Sequence, residues 1–543
     1  MIRSGHIDTF TRDHLPPRAQ WPDLVFTLPT LRYPERLNAV SALLDHWLEA
    51  GAGDRACVIS GHGTISFRAV AERVNRLANV LTRELGMVSG NRVLIRGANS
   101  PMVFIAVLAV IKAGGVIVPT MPLLRARELG LIIAKAKIKL ALCDASLSDE
   151  LERAAEAVGG LEVIGYWNSG TAADLEALMA TSGHDRFDAC DTAADDVCAI
   201  GFTSGTTGEP KGAMHFHRDL LATCDTYGAH VLHATREDRF IGTPPIAFSY
   251  GFGGLMLFPL RVGASAIMLE RATPDDLLEA ISRFRATVCF TAPTAYRAML
   301  PKLDTSDVSS LRACVSAGET LPAAIFEEWR AKTGLPIMDG LGSTEMLHIF
   351  VGSPADQARA GSTGQVVPGY EARLVDEFGH EVPSGQIGRL AVRGPTGCRY
   401  LADARQTIYV VNGWNITGDT YVRDDAGYFW YQARSDDMIV SAGYNIAGPE
   451  VEAALLTHPL VTECGVVGAP DRERGQIVKA FVVLRDQEQA GETLVRALQD
   501  HVKATIAPYK YPRAIEFVST LPRTGTGKLQ RFELRRRAAE KKT

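Results

Sequence analysis

From Arg92 onward, short runs of aliphatic residues alternate with stretches of helical spacing, and this alternation restricts the fold more than any other feature of the chain. Val93-Leu94-Ile95 precedes a helix opening at Pro101, followed by Val116-Ile117-Val118, a second helix and Leu140-Ala141-Leu142. Strands without polar alternation, joined through helices, belong to a parallel sheet covered on both faces. The theme returns in Ala266-Ile267-Met268-Leu269, a helix from Pro274, Thr287-Val288-Cys289-Phe290, a helix from Pro293, and Arg312-Ala313-Cys314-Val315. The expected class is therefore α/β, with two doubly wound sheets. Between residues 364 and 394 the pattern changes to turn-rich β, set by Asp376-Glu377-Phe378-Gly379 and Pro383-Ser384-Gly385, which suggests an antiparallel or barrel-like subdomain. After Asp436 a smaller α+β pattern follows: a helix from Pro449, strands at Val466-Val467 and Ala480-Phe481-Val482-Val483-Leu484, and a helix over 494–506.

A chain of 543 residues is too long for one core. With 46% hydrophobic and 22% charged residues it has the make-up of a soluble globular protein. A net charge of -5 gives no reason to expect nucleic acid, and the basic tail at 535–542 reads as the end of a last helix. Nine scattered cysteines without C-x-x-C spacing suit a reduced, cytoplasmic chain without structural zinc. Met1-Ile2-Arg3-Ser4-Gly5-His6 has no apolar signal core. The most hydrophobic run, 102–111, is stopped by Lys112 and Gly114-Gly115, too soon to cross a bilayer. Ser100 as cap, Pro101 in the first turn and Gly114 at the exit make it a buried helix, so no membrane segment is expected.

The stretch Thr203-Ser204-Gly205-Thr206-Thr207-Gly208-Glu209-Pro210-Lys211-Gly212 carries the chemistry. Glycines let backbone N–H groups close on anionic oxygens, and hydroxyls and Lys211 add donors and charge, as a loop around a polyphosphate needs. It is not a Walker loop, because Pro210 precedes the lysine and Gly212 follows it.

This loop resembles the phosphate-binding signature of the adenylate-forming superfamily of acyl- and aryl-CoA synthetases, peptide-synthetase adenylation domains and luciferases. Four further blocks stand in that family's order. Asp339-Gly340-Leu341-Gly342-Ser343-Thr344-Glu345 is similar to the adenine and magnesium motif, and Thr417-Gly418-Asp419 to the ribose motif. Arg434-Ser435-Asp436-Asp437 is similar to the hinge, and Pro522-Arg523-Thr524-Gly525-Thr526-Gly527-Lys528 to the block of the C-terminal catalytic lysine. The resemblance implies an N-terminal AMP-binding and acyl-pocket domain over 1–435 and a small mobile domain over 436–543, pivoting at Asp436. It implies that Thr203, Ser204, Gly205, Thr206, Thr207, Gly208 and Lys211 hold phosphates, and that Glu345 with Thr206 holds Mg²⁺. Ala317, Gly318, Glu319, Tyr431, Arg434 and Asp419 join the adenine motif around the nucleotide, Asp419 accepting from the ribose hydroxyls. Lys528 activates the carboxylate, and Ser441, Gly443 and Tyr444 line the tunnel for coenzyme A.

Ala247-Phe248-Ser249-Tyr250-Gly251 and the run from Gly342 to Phe350 look most like the benzoate-CoA ligase branch. Carried over, this places Ser249, Tyr250, Ala317, Gly342, His348 and Ile349 around an aromatic acid, with Tyr250 stacking on its ring and His348 donating to its carboxylate or an ortho group. Ser249 departs from the small apolar residue expected for plain benzoate. The N-terminal segment, Asp8-Thr9-Phe10 through Pro16-Pro17-Arg18 and Trp21-Pro22-Asp23, also resembles that of 2-aminobenzoate-CoA ligases, and with Ser249 this resemblance turns the expectation to 2-aminobenzoate, with benzoate or hydroxybenzoate next. His215 and His217 alternate as on one strand face, with no clustered ligands, and read as structural. The implied activity consumes ATP and CoA with Mg²⁺, releases pyrophosphate and then AMP, and serves aromatic degradation; a homodimer is left open. Loading of a carrier-protein phosphopantetheine arm and a non-catalytic AMP-binding regulator are the alternatives.

Overall fold

The computed structural model describes every residue except 1, 204–208, 435–436, 442–443, 472–473, 507, 524–526, 528 and 541–543. Both expected wound sheets are present. The first runs Val163–Trp167, Leu140–Asp144, Arg92–Arg96, Val116–Thr120, Val197–Thr203, Lys211–Phe216. Its strands are parallel except the last, which turns back on Val197–Thr203 so that Lys211 lies opposite Thr203. The phosphate-loop residues thus connect two antiparallel neighbours, and both of its described flanks are held by a hydrogen-bonded ladder.

The apolar run forms the helix Pro101–Lys112, buried along nearly its whole length. Ser100 Oγ accepts from the Val103 N–H at 3.3 Å, supplying one of the partners that a helix start lacks. The exit turn puts Gly114 at φ +79, where a Cβ would lie 2.7 Å from Cys190 Sγ, so glycine is required on two counts. Among the described residues no helix is long and apolar enough to cross a membrane.

The second sheet has nine strands in the order Gln365–Val366, Ile349–Gly352, Ile337–Gly342, Ala313–Ala317, Val288–Thr291, Arg239–Gly242, Ser265–Ile267, Ala56–Ser60, Gly63–Ser66. Its central strands are parallel, and their ends carry the Ala317 and Asp339 segments. The hairpin from Ile337–Gly342 into Ile349–Gly352 presents residues 343–348 at its turn. Helices Pro274–Phe284 and Pro293–Met299 begin where expected, each with proline in its first turn. The strand reading of His217 is corrected: His215 lies in Lys211–Phe216, but His217 opens the helix His217–Thr223, because the Asp219 carboxylate accepts the Phe216 N–H at 3.0 Å and starts a helix there.

Packing divides the chain into a unit of residues 1–372 with 392–416 and a unit of residues 373–391 with 417–543. The crossings fall inside Glu371–Val375, Ile387–Arg393 and Trp414–Arg423, in and just after the turn-rich stretch. A compact unit and a pivot are different properties, so the expected boundary at Asp436, which lies outside the described residues, stands as a proposal. In the second unit, Gly475–Leu484 pairs antiparallel with Val461–Asp471 and parallel with Ala514–Phe517. Helices Gly448–Leu456 and Glu492–Thr505 supply Val451, Leu455, Leu498 and Val502 to its core.

In the larger unit, residues 398–401 lie along Lys211–Phe216: Met214 N donates to Arg399 O and Leu401 N to Gly212 O, both at 2.8 Å. Arg399 is anchored there by an ion pair with Asp219, both side chains 0% exposed, and its guanidinium stacks 3.9 Å from the Phe216 ring centre. Asp219→Ala is expected to cost about 3–5 kcal/mol of stability by stranding a buried guanidinium. The double change Asp219→Leu with Arg399→Leu should lose less than the single one, measured as the thermal unfolding midpoint.

Candidate functional site

Lys211 sits at the first position of its strand, directly after the phosphate loop. Its Nζ lies 5.2 Å from the centre of the Tyr400 ring, over the strap just described. The Tyr400 hydroxyl donates to Glu345 Oε1 at 2.6 Å. Burial and the Glu345 charge hold that hydroxyl far above the ordinary phenol range, so it remains a donor. Three side chains from three parts of the sequence therefore meet at the loop: a cation, a phenol and a carboxylate.

Glu345 stands at the turn between two strands of the second sheet, 8% exposed. His215 Nε2 donates to the neighbouring Thr344 carbonyl at 2.8 Å and ties this turn to the first sheet. Mg²⁺ takes one or two carboxylates together with phosphate oxygens and water. Glu345 suits that role: a hard oxygen ligand whose Oε2 has no hydrogen-bond partner among the described residues. Among the described residues no group of three His, Cys, Asp or Glu is placed to hold a metal ion. Thr206, the second expected magnesium residue, lies outside the described residues, as do Ser204, Gly205, Thr207 and Gly208.

At the adenine motif, Asp339 lies beside Ser316 in neighbouring parallel strands, and Ala317 beside Gly340. Burial pushes the Asp339 carboxyl up to about 8, and its Oδ1 has no partner. Gly318, at φ +91, turns the chain out of the sheet toward half-buried Glu319. At Gly342 a Cβ would stand 2.7 Å from the His348 carbonyl, so only glycine permits this pairing with Ile349. Leu341 lies between them, Ser343 Oγ accepts from Met346 N at 3.3 Å, and Thr344 is held by His215.

The substrate residues carried over from the sequence converge in part. His348 is 2% exposed, its ring centre 6.0 Å from Tyr250, 4.6 Å from Phe258, 5.4 Å from Tyr227 and 6.3 Å from Phe290. Neither imidazole nitrogen makes a well-aligned hydrogen bond, although the Tyr250 backbone lies near enough to oppose the shift, and burial pulls the ring's pKa down to about 3, so it is neutral, with one N–H and one lone pair. A Cβ on Gly253 would come within 2.2 Å of His348 Cδ2, so this glycine makes room for the imidazole. Tyr250 spends its hydroxyl on the carbonyls of Val315 at 2.9 Å and Thr291 at 3.2 Å, and its ring faces His348. Ser249 starts the helix Ser249–Phe252, its hydroxyl makes no hydrogen bond with the described residues, and it lines a cavity of about 20 Å³ with Gly201, His215, Ala247, Thr344 and Leu347.

In the smaller unit, Asp419 lies opposite Arg434 in the antiparallel pair Trp414–Arg423 and Phe429–Arg434, with Oδ1 3.5 Å from the guanidinium. Gly418 has φ +78, and a Cβ there would meet Arg434 at 3.0 Å. The Tyr431 ring packs edge-on to Tyr421 at 5.4 Å, and burial raises its phenol above the ordinary range. Ser441 is buried, and it pairs with Tyr444 across the short hairpin. Asp436, Gly443 and Lys528 lie outside the described residues; Arg523 and Leu529, on either side of that lysine's loop, form a β-bridge.

Sequence reasoning missed Tyr400, whose partner is 55 positions away, and Gly253, Phe258, Phe290 and Tyr227 around His348. The doublet Gly253-Gly254 just after the Tyr250 motif was a legible signal, since two adjacent glycines inside a helical run need a packing reason.

Burial also makes the chain acid-sensitive. His215, His217 and His348 are lowered from 6.5 to about 4, 3 and 3, so each withholds a proton that the unfolded chain accepts below pH 6.5. Their stabilising contribution is complete above pH 6.5 and is lost as pH falls, by about 1.4 kcal/mol per histidine per pH unit. Asp339, raised from 3.8 to about 8, acts oppositely between those values, as one group against three. Stability measured by denaturant titration should therefore rise from pH 4.5 to 6.5, His6 adding to the three histidines with the same sign. His348→Phe should reduce the slope of that rise by about one proton.

The AMP-binding enzyme family matches residues 44–400, and the AMP-binding enzyme C-terminal domain matches residues 450–528. The benzoate-CoA ligase of Thauera aromatica is 38% identical over 518 residues, covering 94% of this chain and 98% of that protein. The crystal structure of an anthranilate CoA ligase in complex with anthranoyl-AMP superposes with TM-score 0.89 at 34% identity, over 94% of this chain and 99% of the other. A benzoate CoA ligase structure from Burkholderia xenovorans gives TM-score 0.82 at 33% identity, over 92% and 100%. With its phosphate loop, its adenine motif and its C-terminal block all inside these matches, the chain belongs to the AMP-binding enzyme family of adenylate-forming ligases.

Proposed function

We propose that this protein is an ATP-dependent aryl-CoA ligase, with 2-aminobenzoate its favoured acid and benzoate or a hydroxybenzoate next. The observation that supports the reading is the set of aromatic rings around the neutral, buried imidazole of His348, for which Gly253 leaves room, in the same unit as the Lys211–Tyr400–Glu345 group. A carboxylate becomes an acyl donor when its oxygen attacks the α-phosphorus of ATP and pyrophosphate leaves. Two anions must approach, so fixed donors and cations are needed before reaction. Lys211 and the loop hydroxyls hold the β- and γ-phosphates, and Glu345 holds magnesium, which when bound neutralises phosphate charge. Asp419, with Arg434 beside it, takes the ribose. Lys528 supplies an ammonium to the carboxylate and α-phosphate; a compact charge on a flexible stem suits that task.

In the second step the CoA thiol attacks the acyl carbon and AMP leaves. Ser441, Gly443 and Tyr444 are the proposed tunnel residues, and Asp436 the proposed pivot between the steps. His348 donates its N–H to the acid or its ortho substituent, and the Ser249 hydroxyl accepts from an ortho amino group.

The test is a panel of benzoates with ATP, Mg²⁺ and CoA. AMP and pyrophosphate should appear, with 2-aminobenzoate giving the highest kcat/KM. ADP as product, or turnover only with a holo carrier protein in place of CoA, refutes the assignment. Ser249→Ala should lower kcat/KM for 2-aminobenzoate about fivefold relative to benzoate, the worth of one neutral hydrogen bond. Gly253→Ala should raise KM for every aryl acid by about tenfold through overpacking at His348. ATP affinity, measured without acid, should be unchanged.

A further inference from the structure

The mechanism leaves one well-ordered side chain unused. Tyr400 is 1% exposed; its ring packs in a small buried cluster with Ala213, Cys398 and Val410, and its hydroxyl ends on the Glu345 carboxylate. We propose that Tyr400 is the positioning residue of the magnesium carboxylate, holding Glu345 so that one oxygen is occupied by the phenol and the other is presented to the cation, and holding it at a fixed spacing from Lys211. The inference rests on the reading of Glu345 as the metal ligand.

A glutamate has rotatable bonds out to its carboxylate, and an untethered one loses that freedom only when the ion arrives. A proton donated to Oε1 at 2.6 Å removes much of this cost in advance and leaves the lone pairs of Oε2. The phenol can do this because it is itself immobile. Tyr400 forms a bridge with Ala213, and its N–H donates to Gln406 Oε1 at 2.9 Å. Gln406 is in turn fixed by the carbonyls of Gln20 at 2.8 Å and Cys398 at 3.1 Å. Tyr409 packs edge-on against the ring at 5.8 Å. The ammonium of Lys211 lies 5.2 Å above that ring, on the strand that Ala213 shares. One rigid aromatic ring therefore sets where the phosphate lysine and the metal carboxylate stand relative to each other.

The experiment separates a metal effect from a nucleotide effect. ATP binding is measured by calorimetry without any aryl acid, once with Mg²⁺ and once with chelator, and the ratio of the affinities is the metal's contribution. Tyr400→Phe keeps the ring under Lys211 and removes the hydroxyl. It should lower the ratio by about tenfold, as loss of a partner behind a metal ligand does, while metal-free ATP affinity stays within about twofold. Glu345→Gln should lower the ratio at least as much, and adding Tyr400→Phe to it should change nothing more. Tyr400→Leu, a second variant that removes ring and hydroxyl together, should reduce both the ratio and the metal-free affinity. An unchanged ratio in Tyr400→Phe beside a lowered one in Glu345→Gln overturns the role given to Tyr400 and leaves Glu345 intact. An unchanged ratio in Glu345→Gln overturns the metal reading and this inference with it.

Discussion

The hydrogen bonding of residues 398–401 along Lys211–Phe216 is the constraint on which the rest of the larger unit's site depends. It places Tyr400 beneath Lys211 and against Glu345, and so gathers a cation, a donor and a carboxylate that are 211, 400 and 345 positions along the chain. The strap is held from behind by the buried Arg399–Asp219 pair, whose charges have no access to solvent. Such a pair contributes little net stability over an apolar substitute, yet losing one partner is costly, which makes it a strong fixative for position. Pre-positioned charge is what a reaction between two anions requires, because groups already oriented need not reorganise as the bond forms.

The second recurring theme is polar groups buried without partners. His348 has two nitrogens without a well-aligned hydrogen bond, and Asp339 Oδ1 lacks a partner on a neighbouring strand. Leaving such atoms unsatisfied costs stability, and native proteins retain them mainly where a ligand or water completes the bonding. Aromatic rings pack edge-on around buried His348, while the glycine at 253 provides the room for the imidazole. The chain accepts an acid-sensitive interior in exchange for an imidazole that is neutral and ready to donate.

The wound sheets and the capped helix Pro101–Lys112 were legible because each follows from short-range rules: an apolar run of strand length, a cap, a proline and a glycine at fixed offsets. Long-range effects were less readable. The Gly253 contact with His348 joins residues 95 positions apart, and nothing local at Tyr400 announces its glutamate. His217 was misplaced for a related reason: an alternating pattern reads as strand until the Asp219 carboxylate, two residues on, is seen to cap the Phe216 N–H. The expected Asp436 pivot and the observed division at residues 372/373, 391/392 and 416/417 differ because one describes where a chain turns and the other where contacts thin out.

By itself the sequence determined the α/β class and the order of its motifs, since these rest on residue types at short spacings, and its resemblance to the benzoate-CoA ligases gave the aromatic-acid branch. Only the tertiary structure decided which side chains face one another: Tyr400 on Glu345, Gly253 on His348, Arg399 on Asp219. Their proximity arises from the packing of separate sheet strands and connecting segments, and packing depends on the whole set of contacts rather than on any one stretch of chain.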